Sequence, residues 1–169
     1  YTANPKLIFF PTDTSQQVLT LPNIKNELGL WQPVFSPDDK FIIYLSGLGK
    51  DSYINVTDFP EAQRNLKVST EHGDWAVWSE DGSKIYYTWD HKIYSVDFKV
   101  SPEMSVGTPE VVFESDGSYL GQEGFPTIFF DVTKDDNRLL LIKKKPEKKI
   151  NVILNWFEEL KQIAPERKE

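Results

Sequence analysis

The stretch Val34-Phe35-Ser36-Pro37-Asp38-Asp39-Lys40-Phe41-Ile42-Ile43-Tyr44 decides the fold class. Two apolar, strand-forming runs flank a Ser-Pro-Asp-Asp bend. Aspartate bonds its own backbone readily and tolerates positive φ, and a serine hydroxyl makes a similar local bond. The segment therefore predicts strand, tight turn, strand. The same grammar returns at Val77-Trp78-Ser79-Glu80-Asp81-Gly82-Ser83-Lys84-Ile85-Tyr86-Tyr87. It returns again at Asp131-Val132-Thr133-Lys134-Asp135-Asp136-Asn137-Arg138-Leu139-Leu140-Leu141. Ser36 and Ser79 lie 43 positions apart, and Ser79 and Thr133 lie 54 apart. A period of about 40–45 residues is that of a four-stranded propeller blade. The longer spacing reads as a blade with an insertion of roughly eleven residues.

Strands fall into units around these bends. The first full unit has strands near residues 32–35, 40–46, 52–59 and 64–69. The second has strands near 75–78, 84–89, 92–98 and 110–114, with 99–109 read as a loop marked by Pro102, Gly107 and Pro109. A third begins near 127–132, continues through 138–143 and reaches 149–156. Before them, 6–10 and 17–21 read as the outer two strands of a unit without its inner two. Apolar residues at helical spacing over 157–163, stopped by Pro165, predict a short C-terminal helix. The expected fold is all-β: a partial β-propeller of about three and a half four-stranded blades with a short C-terminal helix. It is expected to form a single domain over 1–169, divided into half-blade 1–30, blade 31–74, blade 75–126, and an incomplete blade plus helix over 127–169.

Composition narrows the function classes. The net charge of −7 repels phosphate backbones, so nucleic acid is not an expected partner. Cysteine is absent, which excludes disulfides, zinc–thiolate sites and a cysteine nucleophile. No apolar run approaches the roughly 18 residues of a spanning helix. The chain opens on Tyr1, not Met, and is expected to be a processed or excised piece.

The segments Val34-Phe35-Ser36-Pro37-Asp38-Asp39 and Val77-Trp78-Ser79-Glu80-Asp81-Gly82 resemble the "WSPDG" element of TolB-like, WD-like bacterial propeller repeats. The tail Ile150-Asn151-Val152-Ile153-Leu154-Asn155-Trp156-Phe157-Glu158-Glu159-Leu160 is similar to the C-terminal end of many such proteins, in which the propeller often follows a signalling module. Two departures stand out. The third repeat has Thr133-Lys134-Asp135-Asp136, and relatives close at about six or seven blades. The resemblance implies a non-catalytic scaffold for protein–protein interaction in a periplasmic or otherwise extracytoplasmic compartment. An open arc would also invite self-association through its strand edges.

Candidate chemistry is sparse. Asp38, Asp39, Asp81, Asp135 and Asp136 read as turn residues, because each repeat sets its acids at one end of its own unit. The best binding cluster combines His72, Asp74 and Trp75 with Trp89, Asp90 and His91. Histidine and aspartate can ligate an ion, and tryptophan can stack on a ring-shaped ligand. Turn chemistry and core packing account for the same residues. No Gly-x-Ser-x-Gly elbow occurs, and Gly47-Leu48-Gly49-Lys50-Asp51 lacks the spacing of a phosphate-binding loop. The Asn55-Val56-Thr57 sequon falls within a strand. The basic run 143–149 suits a solvated hairpin that discourages edge pairing, with an anionic partner as the alternative. No catalytic residue, cofactor or metal is expected. Two alternatives to the scaffold stay open: a small-ligand or carbohydrate sensor binding at the channel mouth, and the accessory propeller of a hydrolase or signalling protein.

Overall fold

The computed structural model describes residues 6–10, 12, 18–21, 29–47, 49–116, 118 and 129–143. They form an all-β structure of small antiparallel sheets, with one 3-10 turn at Gly49–Asp51. The predicted C-terminal helix and the strand at 149–156 lie outside the described residues. Among the described residues no helix is long and apolar enough to cross a membrane.

The first sheet pairs β1 (Ile8–Phe9) with β2 (Leu19–Thr20). The second is a four-stranded meander of β3 (Leu30–Phe35), β4 (Phe41–Ser46), β5 (Tyr53–Asp58) and β6 (Asn65–Lys67). The third repeats that order with β7 (Asp74–Trp78), β8 (Lys84–Trp89) and β9 (Lys92–Lys99). The outer place beside β9 is shared by β10 (Ser105–Val106) and β11 (Glu110–Glu114). The fourth sheet pairs β12 (Phe130–Val132) with β13 (Leu139–Leu141).

The sequence period survives as pairing register. Val34 opposes Ile43 and Phe35 opposes Ile42. Val77 and Trp78, each 43 residues further on, oppose Tyr86 and Ile85, again 43 residues further on. Asp131 opposes Leu140, both 54 residues beyond Val77 and Tyr86. Strand ends match the expected ones closely, with two corrections. Ser105–Val106, read as loop, folds back onto Phe98 and Lys99 as β10. Leu30 and Trp31 belong to β3, whose register shifts between Trp31 and Val34. Pro33 sits in that irregularity on an edge strand, where a missing N–H costs no ladder bond.

The middle strands explain how the sheets stack. In β4 a continuous apolar run is buried on both faces. Phe41 and Ile43 join Ile54, Val56, Ile85, Tyr87, Val96 and Phe98 in the core between the second and third sheets. Ile42 and Tyr44 point the other way and pack with Leu21 and Leu7 of the first sheet region. In β8 the same alternation recurs: Ile85 and Tyr87 face the second sheet, while Tyr86 joins Phe130, Val132 and Leu141 of the fourth. Side chains alternate across a strand, so a strand apolar at every position must lie between two partners. Full burial of one such side chain stabilises by about 1.5–3 kcal/mol. Four sheets thus stack face to face in chain order.

Candidate functional site

The Asp-bearing bends form one end of the stack. Ser36 Oγ donates to Asp38 Oδ1 at 2.7 Å and accepts from the Phe41 N–H at 3.0 Å. Ser79 does the same with Asp81 at 2.8 Å and the Lys84 N–H at 2.9 Å. Thr133 repeats it with Asp135 and the Arg138 N–H. Each carboxylate also accepts one backbone N–H, from Lys40, Ser83 and Asn137 in turn. The residue after it takes positive φ: Asp39 at 58°, Gly82 at 70° and Asp136 at 56°. These hydrogen bonds favour the charged form. The bond from Ser36 leads in lowering Asp38, that from the Ser83 N–H in lowering Asp81, and that from Thr133 in lowering Asp135. Asp136 moves the opposite way, raised by burial and then by the charge of Asp81. Among the described residues no group of three or more His, Cys, Asp or Glu is arranged to hold a metal ion.

The six binding candidates read from the sequence sit at the opposite end of the third sheet. His72 packs between rings of two sheets, with centroids 5.5 Å from Tyr53 and 4.7 Å from Trp89. Its Nδ1 is buried without a hydrogen-bond partner. Lys67 Nζ lies 3.4 Å from the centroid of the Tyr53 ring. Asp74 accepts from Ser52 Oγ at 3.2 Å, again across the two sheets. Trp75 packs on the other side of the sheet, edge to face with Phe129 at 5.0 Å, and its Nε1 is buried without a partner. Asp90 and His91 make a two-residue hairpin turn at φ 46° and 62°, the type I′ geometry that matches strand twist. The His91 carbonyl accepts from the Ser115 N–H at 2.8 Å, and its side chain is exposed. The structure therefore joins His72 with Trp89 and Asp74 with the neighbouring sheet. It sends Trp75 to the opposite face and leaves Asp90 and His91 at the turn.

Grooves among the described residues lie elsewhere, and none of those six residues lines the ones between the sheets. One, of about 640 Å³, opens at the bend end of the seam between the third and fourth sheets. Trp78, Val132 and Leu140 supply its apolar surface, and Glu80, Lys134 and Arg138 line it with charge. A second, of about 580 Å³, runs from Arg64–Leu66 to Pro102–Met104. A third, of about 110 Å³, is apolar and lies between Leu7, Phe9, Leu21 and Phe35, Ile42. In the first groove Lys134 Nζ and Glu80 Oε1 are 2.7 Å apart, an exposed pair tying the second bend to the third. Sequence reasoning missed Arg138 and Leu140. The run Leu139-Leu140-Leu141 is apolar at every position of its strand, yet Leu139 and Leu141 pack inward while Leu140 stays 70% exposed. The alternation of a strand was the available signal.

No family model matches this chain, and no curated protein matches it.

Proposed function

We propose that the chain is an arc of TolB-like β-propeller acting as a non-catalytic scaffold for protein–protein interaction, extracytoplasmic by that resemblance. The observation that carries the architecture is the 43-residue register shared by two consecutive meanders packed face to face. A stack of successive sheets places equivalent loops side by side along each end, where rigid strands hold them for recognition. The bends contribute their carboxylates to local turns, and the seam groove is a concave feature of that end among the described residues. The groove mixes an indole, exposed aliphatic surface and charge, the composition of recognition patches.

Site-specific photocrosslinking in cells tests the scaffold function. A p-benzoylphenylalanine at position 140, in the groove, is expected to give a discrete heavier adduct. The same probe at position 111, on the outer strand, is expected to give none. Adducts at 111 and none at 140 would place recognition elsewhere and remove the scaffold function at this end.

A further inference from the structure

Independently of the scaffold function, we propose that the two outer sheets are complementary halves, and that the fourth sheet of one copy joins the first sheet of a second copy head to tail. In the second and third sheets the second and third strands pair antiparallel, β4 with β5 and β8 with β9. The fourth sheet holds the first two places: β12 and β13 flank the Thr133 bend as β7 and β8 flank the Ser79 bend. The first sheet holds the last two: β1 and β2 precede β3 in the chain as β5 and β6 precede β7. Among the described residues β1 pairs only with β2, and β13 only with β12. The Leu21 N–H donates to the Leu7 carbonyl at 3.0 Å, so Leu7 and Phe9 turn their polar backbone groups to β2 and Ile8 turns its own to the open edge. Setting β13 of one copy beside β1 of another rebuilds the strand order of the second sheet.

The exposed side chains fit the same contact. In the first sheet Leu7, Phe9 and Leu21 face the second sheet, and strand alternation sends Ile8, Phe10 and Val18 outward, 49%, 68% and 52% exposed. In the fourth sheet Leu139 and Leu141 face the third, while Leu140 and Ile142 point outward, 70% and 52% exposed. In the joined sheet Leu140 and Ile142 lie over the second sheet of the other copy. There an apolar groove of about 110 Å³ runs beside β1, lined across from it by Pro33, Phe35 and Ile42. Ile8, Phe10 and Val18 lie in turn over the third sheet of the copy that supplies β13. Each outer sheet thus gains the second apolar neighbour that already covers β4 and β8. One repeated contact closes both open edges and both outer faces, whereas a further segment of the same chain docked at one end of the stack leaves the other end open.

Sedimentation of the purified full chain tests this, with Phe10→Asp and Leu140→Asp as variants. The native chain should associate as its concentration rises through the micromolar range. Each variant alone should associate at least about a hundredfold more weakly, because every contact it makes buries an unpaired carboxylate. An equimolar mixture of the two should form a one-to-one complex, since the fourth sheet of Phe10→Asp and the first sheet of Leu140→Asp are both native. Both positions are more than half exposed in the single copy, so the variants should fold, and unchanged circular dichroism checks that. Val18→Asp and Ile142→Asp, on the same two faces, give a second pair with the same expectation. A native chain that stays monomeric to near-millimolar concentration, a variant that associates as well as the native chain, or a mixture that stays monomeric overturns the proposal. Any of these leaves the scaffold function standing. In the crosslinking experiment a second copy gives an adduct of twice the chain mass, which separates it from a different partner.

Discussion

The indole Nε1 of Trp78 donates to the carbonyl oxygen of Val34 at 3.3 Å, linking the first strands of two successive sheets. The same ring packs edge to face with Phe98 at 5.2 Å. At the bend end the Trp78 bond acts beside the Phe41 ring, which packs on Phe98 at 5.0 Å across the same two sheets. Trp78→Phe keeps most of the ring and deletes the donor. It should cost about 0.5–1.5 kcal/mol, read as a lower urea midpoint at unchanged m-value.

Ser79 is 1% exposed, and its hydroxyl bonds both Asp81 and the Lys84 N–H. Ser79→Ala leaves that N–H without its side-chain partner. A loss of about 1–3 kcal/mol is expected in chemical denaturation. Thr133→Ser keeps the hydroxyl of the third bend and should change stability by less than about 0.5 kcal/mol.

Gly73 sits where the connection from β6 enters the third sheet, and its N–H donates to the Ser52 carbonyl at 3.0 Å. A Cβ there would lie 2.8 Å from Ile54 Cγ1 and 3.2 Å from Tyr87 Cδ2. Both neighbours belong to the core between the sheets, so room cannot open cheaply. Gly73→Ala should cost about 1–3 kcal/mol by overpacking, seen as a lower Tm.

Acid should weaken the fold through the bends. Asp38, Asp81 and Asp135 are held below their ordinary values, so their contribution is present above the unfolded value of about 3.9. It is lost as pH falls from there through the lower folded values. Asp136 is raised, so its charge opposes folding above that range, and the opposition disappears as acid protonates it. Denaturation midpoints measured from pH 5 downward should therefore fall more gently in Asp81→Asn than in the native chain. At neutral pH Asp136→Asn should match or exceed native stability. A steeper acid slope in Asp81→Asn would refute the role given to the bend.

Much of the architecture was legible because it is local. The Ser-x-Asp bends carry their own hydrogen-bond partners within five residues, and the strands beside them alternate or run continuously apolar. What depended on distant neighbours was not legible. The ring contact of His72 requires Tyr53 from the preceding sheet, and the burial of Trp75 requires Phe129 from the following one. Ser105–Val106 carries no strand signal of its own and pairs because β9 extends past the end of β11. The seam groove is lined by Trp78 on one side and by Arg138 and Leu140 on the other, residues of different units that only the stack brings to one groove.

The central claim is that successive units stack side by side in chain order. The chain has no cysteine, so spin labels can be placed in pairs at the equivalent exposed positions 40, 83 and 137. Electron–electron dipolar distances should be similar for 40–83 and 83–137, with 40–137 longer than either and shorter than their sum, as an arc requires. A 40–137 distance shorter than both neighbours would mean that the outer sheets fold back on each other as a sandwich, and would contradict the stack.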